Sequence, residues 1–173
     1  MGPGASTGPR NNLKECIMTS ETPNFGLLLA PVLSRVEDAA RPRFLALLER
    51  TAADRYRRWA SELPEQADVL LECAKREDEI ADRVEAIFPI AAEKLLELQA
   101  LLPQARDIYY AAFDGLNVVD QILIQADAEL QGANAWRSVA SRLSDPTMLA
   151  ELATCSELEE ASSRAVRAQL SAA

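Results

Sequence analysis

The chain has 173 residues, 49% hydrophobic and 26% charged, enough for one domain with a sizeable core. Acidic residues outnumber basic ones 27 to 18, a net charge of −9 with no Lys/Arg-rich block to offset it, which argues against nucleic-acid and anionic-membrane partners. Histidine is absent, which removes Ser-His-Asp and Cys-His arrangements, imidazole proton transfer and most zinc sites.

Residues 1–25 hold Gly, Pro, Asn and Ser without periodicity and are expected to form a disordered tail, in which Met18 reads as a second candidate start. Residues 1–17 lack the charged and apolar regions of a secretory signal. Leu27, Leu28, Leu29, Val32, Leu33 and Val36 predict a short amphipathic helix over about residues 30–40, interrupted at Pro42. Its apolar run is broken at Pro31 and falls well short of the roughly 20 residues a membrane helix needs.

Four longer helices are predicted next. The first spans about Pro42 to Leu63, where Leu45, Leu48, Ala52, Tyr56 and Trp59 recur at three- and four-residue steps. Pro64 ends it, and a short turn leads to the second, about Gln66 to Phe88, with Leu70, Cys73, Ala74, Ile80, Ala81, Val84 and Ile87 on one face. A crossover over about residues 89–115 has helical content broken by Pro103 and stopped at Asp114-Gly115. The third helix, about Leu116 to Leu143, carries Val119, Ile122, Ala126, Ala133, Trp136, Ala140 and Leu143. Asp145 is the expected N-cap of the fourth, with Pro146 at its first position and Leu149, Leu152, Cys155, Val166 and Leu170 along it. Tight turns within each pair and about 27 residues between the pairs give an all-α, antiparallel four-helix bundle over residues 26–173, two hairpins joined by one long crossover.

Cys16, Cys73 and Cys155 form no CxxC; Cys73 and Cys155 fall on apolar faces and read as small buried hydrophobes, in keeping with a reducing cytoplasm. Trp59 and Trp136 read as packing residues with the indole N–H at the boundary, and Tyr109-Tyr110 as core or pocket lining. No Ser, Thr or Lys stands in a pattern that suggests a nucleophile with its base, so no catalytic residue is identified.

Carboxylates on the apolar stripes are the anomaly, because a buried carboxylate is costly unless paired or metal-bound. Glu49 stands four after Leu45 and seven before Tyr56, and Glu77 lies between Ala74 and Ile80-Ala81. Glu129 is seven after Ile122 and seven before Trp136; Glu159 is seven after Leu152 and seven before Val166. Singly, each could reach solvent by a slight helix rotation, but four such rotations would expose apolar neighbours too. Four inward carboxylates about a bundle axis are what a pair of divalent ions uses. Tyr56 is a candidate hydrogen-bond donor to them, Gln125 and Ser162 candidate auxiliaries, and no Arg is evident on a core face.

ERTAADRYRRWA, from Glu49, resembles the first-helix motif of rubrerythrins, in the ferritin-like superfamily, and the hairpin–crossover–hairpin order is the ferritin-like one. ECAKREDEIADRV, from Glu72, resembles the second-helix pattern A-x-x-E-x-x-H-A, with Glu77 at the Glu position and Ile80 at the histidine position. LATCSELEEASS, from Leu152, resembles the closing E-E-x-H motif through Glu159 and Glu160, with Ser162 in place of histidine. Where the family has two third-helix glutamates three apart, an ungapped match places Gln125 and Ala128, and a one-residue shift brings in Glu129. The resemblance spans roughly Pro42 to Leu170 and implies a di-iron centre whose motifs are degenerate. The paired CxxC motifs of a rubredoxin-like iron site are missing.

These residues leave two readings. In the leading one the bundle has lost a competent di-iron centre and acts as a structural or interaction protein, with apolar helix faces serving homo-oligomerisation and no cofactor. In the alternative, Glu49, Glu77, Glu129 and Glu159 form a carboxylate-only site for iron or manganese, with oxidoreductase or metal-storage activity. Convergence of the four carboxyl groups is the feature that separates them.

Overall fold

The computed structural model describes residues 22–171. These form six α-helices and no strand: α1 (Phe25–Leu33), α2 (Arg41–Glu62), α3 (Ala67–Ile87), α4 (Ala92–Ala111), α5 (Val118–Ala140) and α6 (Pro146–Ser171). No helix among the described residues is long and apolar enough to cross a membrane.

Side-chain caps set several of the starts. Asn24 accepts from the Leu27 amide, Asn117 from Asp120 and, as expected, Asp145 from Met148, each at 3.0 Å. The Asn24 cap starts α1 earlier than the expected 30–40, and only a 3₁₀ turn at Asp38–Ala40 occupies the end of that stretch. Phe25, expected in the tail, is buried; the tail as far as residue 21 lies outside the described residues. Pro42 does not interrupt a helix but sits in the first turn of α2, where the missing N–H has no partner to lose. Pro103 likewise fails to break the crossover, which is one helix, α4; Pro103 and the preceding turn at Gln99 are exposed, so water can reach the carbonyl freed there. Gly115, at φ 76°, turns the chain from α4 towards α5, a conformation that favours glycine.

The four long helices pack as two hairpins, α2 on α3 and α5 on α6, joined along α3 and α6. Helix α4 runs beside α2, and α1 lies between α4 and α5. Of the apolar arm, Leu29, Val32 and Val36 bury against Phe44, Leu98 and Ala105, leaving Leu27 and Leu28 exposed. The start of α1 is pinned to α5 by Gln131, whose Oε1 accepts from the Phe25 amide and whose Nε2 donates to the Pro23 carbonyl, both at 2.9 Å. Within the hairpins the core falls into two apolar clusters. One gathers Tyr56, Trp59, Cys73, Phe113 and Ile122; the other gathers Ala46, Ile80, Trp136, Leu152 and Cys155. The acidic side chains lie between them.

Candidate metal centre

All four sequence-identified glutamates arrive at this level, one from each long helix. Carboxylate oxygens of Glu49 (α2), Glu77 (α3) and Glu159 (α6) lie within 4.8 Å of one another. Glu129 (α5) lines the same cavity as Glu49 and Glu159, and its charge acts on all three. Glu77 is 0% exposed and Glu129 and Glu159 2%, whereas Glu49 keeps some exposure along a cavity wall. The apolar residues flanking each Glu at seven-residue spacing, such as Ile122 and Trp136 around Glu129, are themselves buried, which denies the carboxylates an outward rotation.

Neutral donors surround the cluster. Tyr56 Oη donates to Glu129 Oε1 at 2.8 Å, as the sequence suggested, and Gln125 Nε2 donates to the same oxygen at 2.5 Å. Tyr109 Oη in turn donates to Gln125 Oε1, which fixes the orientation of that amide. Ser162 Oγ donates to Glu77 Oε1 at 3.3 Å and Trp136 Nε1 to Glu159 Oε1 at 3.1 Å. Glu77 Oε2 and Glu129 Oε2 are buried without a hydrogen-bond partner.

No basic side chain balances these acids. Two arginines are buried, which sequence reasoning did not foresee, but neither serves the cluster. Arg43 faces Glu85 at 3.5 Å, and Arg55 stacks its guanidinium 3.8 Å from the Phe113 ring centroid while donating to Gln121. Burial first and then the Glu129 charge raise the Glu49 carboxyl to about 8. Burial raises Glu77 well above the carboxylate range, reinforced by the charges of Glu129 and Glu49. Glu159 is raised likewise, by burial first and then by Glu49, Glu77 and Glu129. Carboxyls raised in this way hold protons to higher pH than free ones, and a cation binding there would displace them.

Sequence reasoning missed two parts of this site. Trp136 is not a boundary residue: its indole N–H is spent on Glu159 in the buried interior. Gly132 faces the same carboxyl, and a Cβ there would stand 2.7 Å from Glu159 Cδ and 2.9 Å from Oε2. It lies three residues after Glu129, one turn along the same helix, and that spacing was the available signal. Of the positions where the sequence departs from the rubrerythrin-like motifs, Ile80 is buried in the apolar cluster with Trp136, Ser162 and Gln125 hydrogen-bond to the acids, and Ala128 lines the cavity. Glu160 points away, to Arg137 and Arg164. No protein-family model, characterised protein or solved structure matches the chain.

Proposed function

We propose that the chain is a ferritin-like four-helix bundle, with α4 as its crossover, that binds divalent cations, Mn²⁺ or Fe²⁺, through Glu49, Glu77, Glu129 and Glu159. The convergence of the Glu49, Glu77 and Glu159 carboxyl groups, with buried Glu129 on the same cavity wall and no basic side chain among them, carries this reading. Two divalent cations would neutralise four carboxylates, and the partnerless Glu77 Oε2 and Glu129 Oε2 supply oxygens ready for coordination. An all-oxygen donor set suits hard ions such as Mn²⁺ and holds Fe²⁺ more weakly than a set containing imidazole. Such an ion would supply Lewis acidity and one-electron chemistry. Tyr56 and Gln125 hold Glu129, Trp136 holds Glu159 and Ser162 holds Glu77, so the cluster is oriented by neighbours before any ion arrives. Glu49, on the cavity wall, is the ligand that faces incoming solvent or substrate.

The second reading, a decayed centre in a structural protein, draws on Ile80 at a histidine position and on the same neutral donors, which satisfy part of the cluster without a cation. Metal analysis of chelated, Mn²⁺-loaded and desalted protein separates the two. At least one equivalent of retained manganese, cut tenfold or more by Glu159→Gln, is the expected result. Less than a tenth of an equivalent, with no thermal shift on adding Mn²⁺ or Fe²⁺, leaves the decayed centre standing.

A further inference from the structure

A cavity of about 480 Å³ runs from the acidic cluster to the space under α1, between α2 and α5. Its walls are apolar: Phe25, Leu29 and Leu33 from α1, Leu45 and Leu48 from α2, Ala128 from α5. Glu129 and Glu159, both buried, form its inner end with Glu49, and the exposed Asn24 and Asn134 mark its solvent side. A water takes up roughly 30 Å³ of liquid, and an engineered cavity of about 150 Å³ already admits benzene. The volume therefore far exceeds what peroxide or dioxygen needs and falls within the range of small-molecule pockets. None of the lining residues is basic, and the three charged ones are all acidic, so a carboxylate or phosphate head group would meet like charge and no counter-charge.

We propose that this cavity binds an uncharged, largely aliphatic organic molecule, its polar end at Glu49 and Glu129 and its chain along α1. As the substrate pocket of the metal centre the assignment rests on the reading above, yet occupancy of the cavity can be measured without metal. Apolar burial supplies the affinity, and the Glu49 carboxyl, which keeps some exposure on the cavity wall, meets a hydroxyl at the inner end.

The test titrates the chelated full chain with 1-octanol and with octanoate at pH 7.5 by calorimetry. Saturable 1:1 binding of 1-octanol, at least tenfold tighter than octanoate, is expected. Ala128→Phe should weaken 1-octanol tenfold or more with the helical circular dichroism unchanged; Ala135→Leu, filling the same space more gently, serves if that variant does not fold. No saturable 1-octanol binding, equal or tighter binding of octanoate, or undiminished affinity in a folded filled variant overturns the proposal. Manganese uptake is read on the same samples. Octanol binding without manganese uptake sinks the metal reading alone, and manganese uptake without octanol binding sinks the pocket alone.

Discussion

Replacing Glu77 by Gln tests whether the acidic cluster is held at a cost that a cation relieves. Glu77 is fully buried, and burial together with the charges of Glu129 and Glu49 raises its carboxyl well above the ordinary 4.5. The metal-free native protein therefore holds this proton to higher pH than the unfolded chain does. Each pH unit of that mismatch destabilises the fold by about 1.4 kcal/mol, a cost that grows as pH rises from the unfolded value. Leaving the charge in place costs about 3.5 kcal/mol, since two unit charges within 4.8 Å of each other repel by at least that much at an effective dielectric constant near 20. Gln keeps the shape, still accepts from Ser162 and is neutral at every pH. The metal-free Glu77→Gln protein should thus be more stable than wild type by up to about 3 kcal/mol at pH 7, and by less than about 1 kcal/mol at pH 5. For a domain of this length the pH 7 gain corresponds to roughly 6–12 °C in Tm. Thermal and urea denaturation of chelated samples at the two pH values measure it. A variant less stable than wild type at pH 7, or a gain equal at both, refutes the reasoning. With saturating Mn²⁺ the order should invert, because only wild type retains all four carboxylates.

Wild-type metal-free protein should lose stability as pH rises from about 5, since Glu49 releases its proton near 4.5 when unfolded but at about 8 when folded; a Tm that climbs over that interval contradicts this sign. Manganese binding at pH 6.5 should release at least one proton per ion, read by calorimetry in two buffers of different ionisation enthalpy; heat independent of buffer counts against it. Gly132→Ala should displace the Glu159 carboxyl and weaken Mn²⁺ at least tenfold, while Gly115→Ala, remote from the cluster, leaves the affinity unchanged. Cys73 and Cys155, buried and raised to about 11 and about 12, should resist alkylation at pH 8 until the protein unfolds, as peptide mapping after iodoacetamide would report.

What the sequence made legible was the part written in helical periodicity. Heptad-spaced apolar neighbours placed Glu49, Glu77, Glu129 and Glu159 inward, and the turn residues around Pro64 and Asp145 divided the hairpins, because both signals are local. Arg43 and Arg55 escaped notice because their buried positions depend on partners far along the chain, Glu85 for one and Phe113 with Gln121 for the other. Helix α1 was misplaced for a similar reason. Its start is set by the Asn24 cap, but its buried face is defined by α4 and α5, which no short-range pattern encodes. Pro103 was over-read, since an exposed proline can remain within a helix when water reaches the carbonyl it frees.

The two positions that the rubrerythrin resemblance aligns with histidine, Ile80 and Ser162, shape the site unequally. Ile80 packs with Trp136, Leu152 and Cys155, so on that side the acids abut a dry apolar wall. Ser162 supplies a hydroxyl instead, and its bond to Glu77 orients that carboxyl without adding charge. The opposite side is built from small residues: Ala52, Ala128, Gly132 and Ala135 leave the cavity open down to Glu49, Glu129 and Glu159. An ion or organic molecule entering through this cavity meets Glu49 and Glu129, which line it, before the more enclosed Glu77. Glu77 is also the acid with an unpartnered oxygen and the Ser162 bond, so it is suited to retain an ion rather than to exchange one. On this geometry Glu49→Gln should change the rate of manganese loading more than the amount retained, whereas Glu77→Gln should change the amount retained. Stopped-flow uptake beside equilibrium dialysis distinguishes the two effects, and equal effects of both variants on rate and retention would remove the directionality inferred from the cavity.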